Sequence, residues 1–148
     1  MSKIRAAIVG YGNIGHFVLD ALEAAQDFEI AGVVRRSVPE NIPLELTPYK
    51  VTDNIKELGK VDVAILAVPS RKAEEYAAQM LENGINTVDS FDIHTQIVDT
   101  RSRLDAIAKK AGKELFHIRL LSASSPSFLL NNVVMPIISS IMRARAAP

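Results

Sequence analysis

Short apolar runs alternate with segments of helical hydrophobic spacing over the first two-thirds of the chain. Apolar residues at i, i+3, i+4 and i+7 indicate a helix, and short unbroken apolar runs indicate buried strands. The pattern predicts strands over 4–9, 28–34, 49–52, 61–68, 85–89 and 114–118, and helices over 14–25, 71–82 and 94–111. Pro39, Pro43 and Pro48 predict a loop after the second strand. This alternation predicts an α/β fold with a doubly wound parallel sheet and right-handed crossovers.

The first predicted strand continues directly into a glycine-rich turn. Gly10, Gly12 and Gly15 form a Gly-x-Gly-x-x-Gly pattern that opens the first predicted helix. In a dinucleotide-binding unit the first glycine permits a tight turn, the second admits a pyrophosphate, and the third lets the helix pack closely on the strand. The helix N-terminus offers N–H groups and a partial positive charge to the phosphates. We therefore predict a Rossmann-type dinucleotide site rather than a glycine-rich turn without a ligand.

The end of the second predicted strand indicates which dinucleotide is bound. An NAD site usually has Asp or Glu there, accepting hydrogen bonds from the ribose hydroxyls. This chain has Arg35, Arg36 and Ser37 instead. A carboxylate would repel a 2′-phosphate, whereas guanidinium groups attract it and match the geometry of its oxygens. We therefore predict NADP as the cofactor; the alternative is that both arginines are solvated loop charges.

Polar residues follow the next two long strands. Ser70 is either a neighbour of the cofactor or the cap of the helix that follows. Asp89, Asp92 and His94 lie at the carboxyl end of the next strand, where open α/β sheets bind ligands. A carboxylate here could hold a substrate ammonium group and an imidazole could relay a proton, although Asp92 could equally cap the next helix. A third metal ligand is lacking, so no metal site is predicted.

The composition changes after Glu114, because every acidic residue lies at or before that position. The remainder is apolar and rich in serine and asparagine. We divide the chain into a dinucleotide-binding domain over 1–119 and a tail over 120–148. A short helix is predicted over 139–146. The tail is apolar enough to cover a sheet face or to form a dimer, and a homodimer is expected.

Overall composition excludes several classes of function. The chain of 148 residues has 17 basic and 17 acidic residues and no cysteine. A net charge of zero gives no indication of a nucleic-acid surface, and the lack of cysteine excludes disulfides and thiolate sites. No apolar run reaches the about 18 residues of a membrane span, and the first strand begins too early for a signal peptide. We expect a cytoplasmic protein that binds neither nucleic acid nor membrane.

Four segments together resemble the meso-diaminopimelate dehydrogenases. They are Ile-Val-Gly-Tyr-Gly-Asn-Ile-Gly at 8–15, Val-Val-Arg-Arg at 33–36, Pro-Ser-Arg at 69–71 and Asp-Ser-Phe-Asp-Ile-His at 89–94. The resemblance covers residues 1–113. It implies an NADP-dependent amino-acid dehydrogenase of lysine and cell-wall precursor synthesis. Such an enzyme oxidises the D-centre of meso-2,6-diaminopimelate to L-2-amino-6-oxopimelate and releases ammonia.

The resemblance also implies roles for individual residues. Asp92, and Asp89 near it, are implied to face the reacting end of the amino-acid substrate. No residue is assigned a catalytic role. With the motif reasoning above, the predicted cofactor-binding residues are Gly10, Gly12, Asn13, Ile14, Gly15, Arg35, Arg36, Ser37 and Ser70.

The tail departs from this family. The family has a Gly-Trp-Asp-Pro-Gly-like segment after its sixth strand, but residues 120–126 do not resemble it and the chain has no tryptophan. A frameshift, a truncation or an unnatural end would produce such a break. The family's long substrate domain is also missing, so we expect NADPH binding with little or no turnover. Two alternatives stay open: another oxidoreductase with the same N-terminal domain, and a non-catalytic NADPH-sensing module.

Overall fold

The computed structural model describes residues 2–89, 95–117 and 126–146. Within these ranges, six parallel strands form one sheet in the order β3-β2-β1-β4-β5-β6. The strands are β1 (Ile4–Val9), β2 (Phe28–Val34), β3 (Val51–Thr52), β4 (Val63–Leu66), β5 (Asn86–Asp89) and β6 (Leu115–His117). The α-helices are α1 (Asn13–Ala24), α2 (Ser70–Glu82), α3 (Ile97–Ala111), α4 (Pro126–Leu129) and α5 (Met135–Ala146). Short 3-10 turns cover Leu44–Leu46 and Ile55–Leu58.

The central strand β1 is buried on both faces of the sheet. Ala6 and Ile8 belong to one hydrophobic cluster, and Ala7 and Val9 to the other. Each of these four residues is at most 1% exposed. An unbroken apolar sequence is what a parallel strand covered by helices on both sides requires. The doubly wound parallel sheet predicted from the sequence is thereby confirmed.

The helices form one layer on each side of the sheet. On one face, α1 contributes Val18, Leu19 and Leu22 to the cluster that includes Ile8. On the other face, α2 and α3 cover the cluster that includes Val9, and the residues that they contribute are Ala77, Met80, Leu81, Leu104 and Ala108. These packing partners hold the helices so that α1 and α2 begin at the carboxyl edge of the sheet.

Most predicted boundaries agree with the structure to within a few residues. The helix α2 begins at Ser70, with Pro69 at the N-cap, so the prediction that Ser70 caps this helix is wrong. Proline at the cap leaves the hydroxyl of Ser70 inside the first helical turn. Gly112 ends α3 as predicted, in the left-handed conformation with φ +63°. The helix α3 begins at Ile97, and the predicted first residue of this helix, His94, lies outside the described residues.

The segment between β2 and β3 runs along α1 without forming an α-helix. Leu46, in its 3-10 turn, is fully buried in the cluster under α1. Further on, the Tyr49 hydroxyl donates to Glu23 near the end of α1, at 2.7 Å. The segment contains no α-helix, as its prolines predict. It packs on α1 through single side chains.

The tail forms more helix than the sequence predicts. Helix α4 continues through a π-helical turn over Leu130–Val134 into α5, so that residues 126–146 form one C-terminal helix. Its buried apolar residues pack in the cluster of α1, and they are Leu130, Val134, Met135 and Ile138. The predicted short helix covered only 139–146, whereas the observed helix continues through Pro136, which lacks an N–H group. The π-helical turn immediately before it, where the Met135 N–H bonds to the Leu130 oxygen, accommodates this break.

One helix in the described part of the chain, Ser127–Ala146, is long and apolar enough to cross a membrane by length and composition, with a mean hydropathy of 1.2. A core helix passes the same test. Here part of the helix is packed on α1 and the sheet, so its apolar residues have a structural explanation within the chain.

Asp27 connects the C-terminal helix to the turn before β2. Its carboxylate accepts hydrogen bonds from Ser139 Oγ at 2.7 Å and from Arg143 Nη2 at 2.6 Å. The hydrogen bond from Ser139 is the largest cause that lowers the pKa of Asp27; Arg143 lowers it further, and desolvation opposes both. Arg145 also pairs with Glu114, at 3.0 Å. The acid-free tail is thus held to acidic residues of the preceding part of the chain.

We expect Asp27→Ala to lower stability at neutral pH and to matter less in acid. A carboxyl group whose pKa is lowered by folding stabilises the protein above its unfolded pKa of about 3.9. This contribution disappears as the pH falls through the lower folded pKa. Urea unfolding followed by circular dichroism at a series of pH values from about 7 to about 2.5 would measure the difference between wild type and variant.

Asp53→Ala is the matched control, because Asp53 is exposed and its side chain has no partner among the described residues. It removes the same charge and should leave the urea midpoint nearly unchanged. A difference between Asp27→Ala and wild type that stays constant down to low pH would contradict an ionic contribution of Asp27.

Candidate dinucleotide-binding site

The carboxyl ends of three neighbouring strands meet at the glycine turn. The Gly10 N–H donates to the Val34 oxygen at the end of β2, at 2.8 Å. The Ala67 N–H, just after β4, donates to the Val9 oxygen at 2.7 Å. Arg35 follows Val34 directly, so the glycine turn, the arginine pair and the end of β4 share one edge of the sheet. Ligands of open α/β sheets bind at this edge.

The three glycines of the turn have different surroundings. Gly10 has φ +91°, and a Cβ atom there would lie 2.5 Å from the Ala67 oxygen. A Cβ atom on Gly15 would lie 2.8 Å from the Gly10 oxygen. In contrast, nothing lies within 4 Å of a Cβ atom on Gly12. Gly10 and Gly15 are therefore required by packing, whereas Gly12 leaves open space beside the backbone.

Helix α1 begins at this open space with its amides available. Gly12 is the N-cap residue, no side chain caps the helix, and its first turn contains no acidic residue. The first intrahelical bond runs from the His16 N–H to the Gly12 oxygen, at 3.1 Å. The N–H groups of Asn13, Ile14 and Gly15 therefore have no helical acceptor. Such a terminus attracts an anion through its N–H groups and its dipole.

Arg35 and Arg36 provide positive charge at the end of β2. Arg35 is half-buried, while Arg36 and Ser37 are exposed. Neither guanidinium group has an ion-pair or hydrogen-bond partner within the described ranges. Further along this segment, the Lys50 ammonium group and the Glu57 carboxylate pair with each other at 3.6 Å. The two arginines thus keep their charge and donors available for a ligand.

A cluster of three side chains beside the glycine turn was not predicted. The Tyr11 hydroxyl donates to Glu45 Oε1 at 3.3 Å and lies 3.2 Å from His16 Nδ1. Desolvation, with the carboxylate of Glu45 as the next cause, raises the pKa of Tyr11 to about 12. The phenol is therefore a neutral donor at physiological pH. No sequence signal connects Glu45 with the glycine turn, because the two are far apart along the chain.

The remaining predicted site residues lie at the ends of β4 and β5. Ser70 is half-buried in the first turn of α2. Asp89 is the last residue of β5, only 3% exposed, and is in register with Leu66 of β4. Asp92 and His94 lie outside the described residues. In the part of the chain that is described, no group of three or more His, Cys, Asp or Glu side chains could hold a metal ion.

Two substitutions distinguish the glycine that packing requires from the glycine that leaves open space. Gly10→Ala should lower the free energy of unfolding by about 1–3 kcal/mol or more, because alanine is strained at positive φ and its Cβ meets a carbonyl oxygen. Gly12→Ala should change it by about 0.5 kcal/mol at most, since its φ is −109° and its surroundings are open. Urea unfolding of both variants measures this difference. Equal destabilisation would contradict the described turn.

The chain matches a family model described as an oxidoreductase family with an NAD-binding Rossmann fold, over residues 4–118. It is 65% identical over 112 residues to the meso-diaminopimelate D-dehydrogenase of Bacteroides fragilis. This match covers 76% of the chain and 38% of the relative, so the chain spans little more than a third of that protein.

Solved structures give the same relation. The diaminopimelate dehydrogenase of Corynebacterium glutamicum in complex with DAP is 30% identical with a TM-score of 0.68, covering 78% of this chain and 35% of that one. An engineered D-amino acid dehydrogenase bound to NADP+ is 29% identical with a TM-score of 0.64, covering 77% and 36%. The resemblance inferred from the motifs is confirmed, and the chain belongs to this oxidoreductase family with its NAD-binding Rossmann fold.

Proposed function

We propose that the chain binds NADP at the glycine turn. The 2′-phosphate would be held by Arg35, Arg36 and Ser37, and the pyrophosphate by the backbone of Gly12 and the start of α1. The observation that carries this proposal is the pair of arginines without ion-pair partners among the described residues, directly after β2. A site specific for NAD usually has a carboxylate at this place.

The residues present fit such a ligand in charge and in space. The open space beside Gly12 admits a phosphate group close to the backbone. The uncapped amides of α1 are donors for its oxygens, and no acidic residue in the first turn opposes it. A planar guanidinium group binds phosphate oxygens in a bidentate manner. The engineered relative whose structure contains NADP+ supports the same choice of nucleotide.

We further propose that the chain is the cofactor-binding part of a meso-diaminopimelate dehydrogenase. The 65% identity to the Bacteroides fragilis enzyme supports this reaction, the oxidative deamination of meso-2,6-diaminopimelate at its D-centre. Bound NADP+ would supply the hydride acceptor. Asp92 would accept hydrogen bonds from the substrate ammonium group. Asp89, which is buried at the end of β5, would face the same end of the substrate.

Turnover by this chain alone should be weak or absent. The chain spans 38% of the relative, and a substrate held on one side only does not reach a reactive geometry efficiently. Ser70, at the start of α2, would contact the cofactor from the β4 side. The expected homodimer and the cytoplasmic location stay predictions from the sequence.

Calorimetric titration of the purified chain with NADPH and NADH, followed by an assay with meso-diaminopimelate and NADP+, tests the proposal. We expect NADPH to bind at least about tenfold more tightly than NADH, with little turnover. Tight NADPH binding without turnover fits both the cofactor-binding part of a dehydrogenase and a sensing module, whereas measurable turnover would contradict the non-catalytic module. Binding of neither dinucleotide would contradict the proposed function.

Arg35→Asp combined with Arg36→Ala should weaken NADPH binding by at least about tenfold, because two charge-assisted contacts to the 2′-phosphate are lost. NADH, which lacks that phosphate, should bind with little change. Calorimetry with both dinucleotides measures the two affinities separately.

Arg101→Ala serves as the control, since Arg101 is an exposed arginine of α3 on the other side of the sheet. It should leave both affinities unchanged. Equal loss of NADPH and NADH affinity in the double variant would contradict the assignment of the 2′-phosphate to Arg35 and Arg36.

A further inference from the structure

The segment between β2 and β3 is attached at its two ends. At one end, the Arg35 N–H donates to the Thr52 oxygen at 2.8 Å. At the other, Leu46 is fully buried under α1 and Glu45 contacts the glycine turn. Between these points, residues 36–42 form no hydrogen bond to any part of the chain that the structure describes. The position of Arg36 and Ser37 therefore depends on how both ends are held.

Glu45, Tyr11 and His16 form the contact at the second end, which we call the latch. The Tyr11 hydroxyl donates to Glu45, and His16 Nδ1 lies 3.4 Å from the same carboxylate oxygen. The rings of Tyr11 and His16 have centroids 4.3 Å apart. The phenol also lies close over Gly15, with its Cδ2 atom 3.2 Å from where a Cβ atom would be. The latch thus fixes Tyr11 on the first turn of α1.

We infer that this latch sets the preference for the 2′-phosphorylated dinucleotide by joining the two halves of its site. Tyr11 belongs to the glycine turn. Glu45 lies in the segment between β2 and β3, which begins with Arg35 and Arg36, and it accepts the hydrogen bond from Tyr11. The inference rests on the proposed binding of NADP. A ligand that contacts both halves gains affinity when their relative position is fixed beforehand, whereas a ligand that contacts one half does not. NADP+ would contact both halves strongly, whereas NAD+ would lack the 2′-phosphate that Arg35 and Arg36 bind and would depend mainly on the glycine turn.

The latch itself lies on the outer side of the turn. Glu45 and His16 are each about half exposed, with side-chain exposures of 43% and 50%. Loss of the Glu45 carboxylate therefore removes a surface contact and leaves the buried Leu46 beside it in place. Glu45, Tyr11 and His16 are positioning residues in this inference, because they act through the arginine pair and the backbone of the turn.

The affinities of the ligand-free variants for NADP+ and NAD+, measured by calorimetry, test the inference. Glu45→Ala should weaken NADP+ binding about three- to tenfold and change NAD+ binding less than about twofold. Tyr11→Phe should reproduce this result, because it removes the same hydrogen bond from the other side. Glu45→Gln retains an oxygen acceptor for the phenol and should keep most of the preference for NADP+.

Glu40→Ala is the matched control. Glu40 is an exposed carboxylate on the same segment, without a side-chain partner in the described ranges, so its removal changes the charge equally and leaves the latch intact. The ratio of NADP+ to NAD+ affinity should stay at the wild-type value. A ratio that falls as far in Glu40→Ala as in Glu45→Ala would overturn the latch in favour of a general effect of charge.

Two measurements without any ligand test the latch separately. Amide hydrogen exchange over residues 36–47 should be faster in Glu45→Ala than in Glu40→Ala. Absorbance titration of the tyrosines should show a component near pH 12 in wild type that Tyr11→Phe removes and that Glu45→Gln lowers only in part, because burial of the phenol, the largest cause of its raised pKa, remains. Unchanged exchange in Glu45→Ala would overturn the latch.

Failure of the inference and failure of the proposed function give different results. Wild-type chain that binds NADP+ no better than NAD+ would contradict the proposed function. Wild-type chain that prefers NADP+, with an unchanged preference in both Glu45→Ala and Tyr11→Phe, would overturn the latch alone. Equal loss of both dinucleotides together with a lowered melting temperature would show that Glu45 serves only the stability of the fold.

Discussion

The close approach of Gly10 to the carboxyl end of β4 is the contact on which the rest of the site depends. The space at this point admits no side chain, since a Cβ atom would lie 2.5 Å from a carbonyl oxygen. The turn can therefore direct the chain straight from β1 into α1 and place the start of the helix above the sheet edge. Gly15 repeats the constraint one turn later, where the helix passes over the Gly10 oxygen. Backbone packing thus determines where an anion can be bound.

Electrostatics at this edge complement the packing. The chain carries no net charge, yet its charges are unevenly placed. The first turn of α1 contains no acid, and the arginines after β2 have no ion-pair partner among the described residues. Other arginines do have partners: Arg103 pairs with Glu74 at 2.6 Å, and Arg143 with Asp27. This contrast is the physical reason for placing a phosphate group beside Arg35 and Arg36.

The sequence predicted the parts of the fold that local physics determines. The strand β2 was predicted at its observed bounds, and the stop of α3 at Gly112 follows from the freedom of glycine at positive φ. The C-terminal helix was underestimated because its stability comes from burial against α1 and its proline is accommodated by a π-helical turn. The contact between Tyr11 and Glu45 had no local signal, because only the folded path of the loop brings them together. The glycine motif and the arginine pair were predicted as site residues from their positions at the ends of strands, and the structure places both at the same edge of the sheet.

The most direct test of this account is a titration of the 15N-labelled chain with NADP+, followed by amide chemical shifts in two-dimensional NMR spectra. The account predicts that the largest shift changes occur at the glycine turn over residues 10–15 and at residues 35–37. The C-terminal ends of α2 and α3 should change less than these two segments. Shift changes confined to the C-terminal helix, or no change at saturating NADP+, would contradict the central claim that this edge of the sheet is a site for a 2′-phosphorylated dinucleotide.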